Sequence, residues 1–129
     1  MTRISVLGAG AFGTAYSVSL AGDGREVVLW ARDPGDMQKA RENRRRLPGV
    51  PFPDGVQVTD DFAEAAAADI ILLAIPLQQL SGVLADHCDQ ITTQTLVSCA
   101  KGIDIATGRG SAEIITGICP GATPAILSG

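Results

Sequence analysis

Three glycines at fixed spacing, Gly8, Gly10 and Gly13, are the residues of this chain whose types and positions most directly imply chemistry. They follow a short apolar run, Ile4-Ser5-Val6-Leu7, and open a helix-forming segment. A glycine at 8 lets the chain turn sharply out of a strand. One at 10 leaves no side chain between the backbone and a bound pyrophosphate. One at 13 lets the helix lie close against the strand. The helix then aims its free N–H groups and positive dipole end at phosphate oxygens. Strand before and helix after distinguish a dinucleotide-binding loop from an ordinary glycine-rich turn.

A second chemical position is the end of the next strand, where Trp30-Ala31-Arg32-Asp33 stands. A carboxylate at the strand tip would bond an adenosine ribose and repel a 2′-phosphate. Here Arg32 is suited to pair with a 2′-phosphate or to lie on an adenine face, and Asp33 can still reach a ribose hydroxyl. Both NAD and NADP therefore fit. Lys101 is one of only two lysines and precedes Gly102 just after a strand. An ammonium there can hold a phosphate or polarise a carbonyl. Six of the ten basic residues fall between Arg32 and Arg46. Such a run reads first as a solvated helix face, with a phosphate-steering field at a ligand mouth as the rival. His87 has no second histidine to share a metal and reads as a surface residue.

Composition narrows the class. The chain has 129 residues, 46% of them hydrophobic but only 4% aromatic, so its core is built from Ala, Val, Ile and Leu. That suits a parallel sheet covered by helices. A formal charge of -4 argues against nucleic acid as a partner. No run is long enough to span a membrane, and the first apolar run is too short for a signal peptide. Cys88, Cys99 and Cys119 are odd in number and widely spaced, which reads as reduced thiols in a cytoplasmic protein without a disulfide frame or metal site.

Strands and helices alternate along the chain beneath these groups. Strands are expected at 4–7, 26–30, 56–59, 68–76, 95–98 and 124–127. Helices are expected at 11–21, 61–68, 77–88 and 112–118, with a second helix opened by Asp33-Pro34 and carrying the charged stretch 36–46. In the first helix Ala15, Val18 and Leu20 supply the apolar positions. Thr59 or Asp60 is expected to cap the third helix, and Ser111 the last. The segment 47–55 holds three prolines and two glycines and reads as an ordered loop. The order implies a Rossmann-like, doubly wound, mainly parallel α/β sheet with helices on both faces, formed by residues 1–129. Ligands of such sheets sit outside the carboxyl ends of the strands.

Several separated stretches resemble one family, the bacterial-type NAD(P)-dependent glycerol-3-phosphate dehydrogenases. The segment from Val6 to Ala15 is similar to its coenzyme loop, and Leu29-Trp30-Ala31-Arg32 to the end of its second strand. Asn43 with Leu47-Pro48-Gly49 resembles its Asn-x-x-Tyr-Leu-Pro-Gly signature, with Arg46 where the family often has Tyr. The run ending at Pro76, the stretch Ala100-Lys101-Gly102-Ile103 and the final Leu127-Ser128-Gly129 resemble three further motifs. The resemblance implies hydride transfer between NAD(P)H and dihydroxyacetone phosphate, giving sn-glycerol 3-phosphate for glycerophospholipid synthesis. It implies that Ala11, Phe12, Arg32 and Lys101 touch the coenzyme, and that Lys101 and Gly129 reach the substrate. With Gly8, Gly10 and Gly13 of the loop and Pro76 at the end of the apolar run, these are the expected coenzyme-binding residues.

The family's helical second domain, which carries the catalytic lysine, has no counterpart here. The expectation is therefore a coenzyme-binding domain with no catalytic residue of its own, inactive alone, whose full-length protein is compatible with a homodimer. Two other readings share the loop: another Rossmann dehydrogenase of the ketopantoate reductase or 6-phosphogluconate dehydrogenase type, and a module that senses NAD(P) without chemistry.

Overall fold

A computed structural model describes residues 2–99 and 110–127. Lys101, its Lys-Gly motif and Gly129 lie outside the described residues. Within them six strands form one sheet: β1 (Ile4–Leu7), β2 (Val27–Trp30), β3 (Val56–Thr59), β4 (Ile70–Leu73), β5 (Thr95–Ser98) and β6 (Thr123–Ile126). Their order is β3-β2-β1-β4-β5-β6, and every pairing is parallel. This is the doubly wound α/β class expected from the sequence. Leu7 lies opposite both Trp30 and Leu73, so the central strands end level and their outgoing loops converge.

Side-chain alternation builds two cores. Val6, Val27, Leu29, Val56 and Val58 face one side, with Met37 and Phe52. Leu7, Trp30, Ile71, Leu73 and Leu96 face the other, with Phe62, Leu80, Leu84 and Ile115. The first side receives α1 (Ala11–Ala21) and α2 (Met37–Ala40). The second receives α3 (Phe62–Ala66), α4 (Leu77–Asp86) and α5 (Ser111–Ile118). Pro124 sits in β6, an edge strand, where its missing N–H breaks no central ladder.

The face α1 turns inward differs from the expected one. Gly13, Thr14, Ser17 and Ala21 are buried, Ala15 is exposed, and Val18 and Leu20 are only partly covered. Close approach of helix to sheet selects small side chains, and polarity is tolerated because each hydroxyl is bonded. The Ser17 hydroxyl donates to the Gly13 carbonyl at 2.9 Å, and the Thr14 oxygen accepts from Asn43.

The charged segment 36–46 is not one helix. Arg41 takes a left-handed conformation (φ 56°, ψ 38°) and ends α2 after one turn. Its guanidinium donates to the Pro53 carbonyl at 2.8 Å, and its own carbonyl accepts from Phe52 N at 2.7 Å. These bonds stabilise a backbone region that costs a non-glycine residue about 1 kcal/mol. They also fold the loop 47–55 back against α2.

Two caps shift by a residue. Asp61, rather than Thr59 or Asp60, caps α3, its Oδ1 accepting from Ala63 N at 3.0 Å. Gly110 precedes α5, and Ser111 is its buried first residue. His87 is half-buried rather than on the surface. Its ring stacks on Phe62 at 3.9 Å and meets Trp30 edge-on at 5.8 Å, closing the end of α4 against the core.

Candidate functional site

The sheet reverses its winding between β1 and β4, and the loops leaving these strands bound a groove. Gly8 has φ 106°, a region open to glycine, and its N–H bonds the Trp30 carbonyl at 2.9 Å. A Cβ there would collide with the Ala74 carbonyl oxygen. Gly13 is as tightly placed, for a Cβ would collide with the carbonyl oxygen of Gly8. Gly10 is the opposite case. It has an ordinary extended backbone (φ −74°, ψ −172°), and a Cβ built on it meets nothing within 4 Å. Gly8 and Gly13 thus serve the turn and the packing, and Gly10 opens onto the groove. Gly10 brings no capping side chain to α1, so the first N–H groups of that helix remain for a ligand.

The groove has two lobes. One, about 580 Å³, is lined by Ala11, Phe12, Tyr16, Leu77 and Cys99 and is largely apolar. The other, about 510 Å³, is lined by Gly8, Ala9, Ala31, Asp33, Asp36 and the arginines Arg44, Arg45 and Arg46. Both include Gly10, Ala74, Ile75 and Pro76, so they meet where the glycine loop faces the end of β4. Each falls in the ordinary range for small-molecule sites. A further cavity of about 400 Å³ lies at the amino ends of β1 and β2, the end away from the converging loops.

Of the residues expected at the site, Gly8, Gly10, Ala11, Phe12, Gly13 and Pro76 come together here. Phe12 is 77% exposed, an unusual position for a phenylalanine, and forms a wall of the apolar lobe. Arg32 stands apart from the linings of both lobes. Its guanidinium lies 3.5 Å from the Asp86 carboxylate at the end of α4, with both side chains largely exposed. Tyr16 and Asp86 were not expected from the sequence, and Cys99 was read only as a reduced thiol, not as part of the groove. Tyr16 is one turn of α1 beyond Phe12, and Cys99 directly follows β5, so spacing from the loop and the strand end was the available signal.

The three cysteines are free. Burial raises the thiol pKa of Cys99, and burial followed by the neighbouring Cys88 raises that of Cys119. Both are therefore held in the less reactive thiol form, whereas Cys88 is exposed. A thiol reagent at pH 7 is expected to label Cys88 first, with Cys119 reacting only on denaturation. Mass mapping checks this; early labelling of Cys119 would contradict its burial.

A parallel doubly wound sheet with a two-lobed groove at its switch point defines a Rossmann-type dinucleotide-binding fold. Residues 3–129 match the family described as NAD-dependent glycerol-3-phosphate dehydrogenase N-terminus, and the chain belongs to that family. It is 44% identical over 129 residues to a glycerol-3-phosphate dehydrogenase [NAD(P)+] of Ruegeria sp. (strain TM1040), covering 98% of this chain and 40% of that protein. It is 50% identical over 126 residues to the enzyme of the same name from Paracoccus denitrificans, covering 98% and 39%. The crystal structure of glycerol-3-phosphate dehydrogenase from Coxiella burnetii superposes with a TM-score of 0.91 at 27% identity, covering 99% of this chain and 41% of that one. The chain spans about 40% of the length of the curated relatives it matches. Among the described residues no helix is long and apolar enough to cross a membrane, and no group of three metal-ligating side chains gathers.

Proposed function

We propose that this chain is the coenzyme-binding domain of an NAD(P)-dependent glycerol-3-phosphate dehydrogenase. The observation that carries the reading is the groove whose lobes meet at Gly10. A nicotinamide dinucleotide has the same plan: two nucleosides joined by a pyrophosphate. The apolar lobe suits the nicotinamide, with Phe12 and Leu77 against the ring. The polar lobe suits the adenosine, with Asp33 for the ribose hydroxyls. The pyrophosphate then lies at Gly10, under the N-terminus of α1.

Bound there, the coenzyme supplies a hydride. The chain's residues orient the nicotinamide and keep water from one side of it. Lys101 follows β5 in sequence and is the candidate for the substrate phosphate or carbonyl, with Gly129 at the substrate edge. The reaction proposed for the whole protein is reduction of dihydroxyacetone phosphate to sn-glycerol 3-phosphate, in a reducing, cytoplasmic setting that fits three free thiols. The test is NADH oxidation by the protein that carries this chain. Dihydroxyacetone phosphate should be reduced in preference to ketopantoate, and the reverse order would overturn the substrate.

Arg32 is the candidate for discriminating coenzymes. Its exposure and its pairing with Asp86 keep the effect small, because an exposed ion pair is worth at most about 1 kcal/mol. Arg32→Ala is expected to weaken NADPH on the order of fivefold more than NADH, a difference that shrinks in high salt. Equal loss for both would place Arg32 on the adenine instead.

A further inference from the structure

Asn43 is only 3% exposed and sits in the middle of the basic run. Its Nδ2 donates to the Ala9 carbonyl at 2.9 Å and to the Thr14 hydroxyl oxygen at 2.9 Å. Its Oδ1 accepts from Arg46 N at 3.2 Å, and its carbonyl accepts from Leu47 N at 2.8 Å. Both hydrogens of the amide and its oxygen are therefore used inside the protein. One pair of bonds holds the glycine loop and α1; the other holds the turn that carries the arginines. The side chain is a bracket between these two walls of the polar lobe.

The bracket keeps charge where an isolated chain has little use for it. Arg44, Arg45 and Arg46 are consecutive, exposed and set at the rim of the lobe. Arg44 is 3.8 Å from the Asp36 carboxylate. Arg45 and Arg46 make no ion pair among the described residues. Through its bonds to the backbone N–H groups of Arg46 and Leu47, Asn43 fixes the backbone that carries these three cations. The glycine loop facing them offers N–H groups and a helix dipole, which carry only partial charge. A pyrophosphate carries two full negative charges.

We propose that the turn 43–46 is a second phosphate-binding element of the groove. Arg45 and Arg46 supply the full positive charge for the coenzyme pyrophosphate, and Asn43 is the positioning residue that holds them against the glycine loop. The inference rests on the coenzyme reading above. It assigns the turn to the pyrophosphate, which NADH and NADPH share, because the bracket is anchored on Ala9 beside Gly10. A 2′-phosphate belongs instead at the end of β2.

The test is titration of the whole chain with NADH and with NADPH, at low and at high salt. The variants are Arg45→Ala/Arg46→Ala, Arg45→Lys/Arg46→Lys and Asn43→Ala. Both arginines are exposed, so their variants should fold. The alanine pair is expected to bind both coenzymes about tenfold more weakly at low ionic strength, with the loss gone near 1 M salt. The lysine pair should recover most of the affinity. Asn43→Ala should lower the salt dependence of binding to that of the alanine pair; a purely structural role would weaken binding at every salt concentration alike. Wild-type affinity in the alanine pair would overturn the proposal and leave the coenzyme reading standing. A loss confined to NADPH would overturn it in favour of a 2′-phosphate site. A folded wild-type chain that binds neither coenzyme would overturn both.

Discussion

Gly10→Val is expected to leave a folded chain that binds neither NADH nor NADPH. The backbone at Gly10 is one that any residue adopts, and a Cβ there meets no protein atom within 4 Å. The fold therefore has no objection to a side chain. The groove does, because Gly10 lies where its two lobes meet. An isopropyl group would occupy the space the pyrophosphate needs and hold it away from the N–H groups of α1. Loss of those charge-assisted bonds corresponds to at least about 100-fold in affinity. Circular dichroism and a melting curve report the fold, and NADH fluorescence reports the binding. A folded Gly10→Val chain with undiminished NADH binding would remove the loop from the site.

Gly13→Val should do the converse and damage the fold itself. Its Cβ would fall on the Gly8 carbonyl oxygen and lie 3.1 Å from Ala74 Cβ. The obstacle is backbone, so no rotamer relieves it. Helix α1 would have to lift from β1, the fully buried central strand. Overpacking commonly costs 1–3 kcal/mol, and a backbone collision belongs at or above the top of that range, roughly 3 kcal/mol or more. Against a total stability of about 5–15 kcal/mol, that lowers the denaturant midpoint markedly. An unchanged midpoint would mean that the helix is not packed on the loop as described.

The pair of variants shows what could be read from the residues. Glycine spacing made the loop legible, along with the general need for close packing at one end and open space in the middle. The assignment of the turn to Gly8, the open position to Gly10 and the close packing to Gly13 was legible as well. What the residues did not show is the obstacle each Cβ would meet, the Ala74 carbonyl for Gly8 and the Gly8 carbonyl for Gly13. The buried strand at 68–76 was legible as a continuous apolar run, but pairing stops at Leu73. Ala74 still donates its N–H to the Leu7 carbonyl at 2.9 Å, Ile75 and Pro76 go on beyond the sheet, and all three line the groove, so the apolar run joined a strand to a groove wall.

The charged segment was read as one helix because Asp33-Pro34 suits a helix opening and a charge run reads as a solvated helix face. Long-range bonds decided otherwise. Arg41 is held by Pro53 and Phe52, and Asn43 by Ala9 and Thr14. In the same way His87, a polar residue near a helix end, found an aromatic cluster formed by Trp30 and Phe62. The family resemblance pointed to Asn43 as part of a signature, but the reason for an asparagine there became visible only as a hydrogen-bonded bracket.

In the reading proposed above, this chain binds a nicotinamide dinucleotide across the groove at the switch point. Titration of the folded chain with NADH, followed by coenzyme fluorescence in parallel with Gly10→Val, tests it most directly. Saturable binding at one site, competed by NAD, is expected in the wild-type chain, and none in the variant. Equal responses from the two folded proteins, whether both bind or neither does, would contradict it.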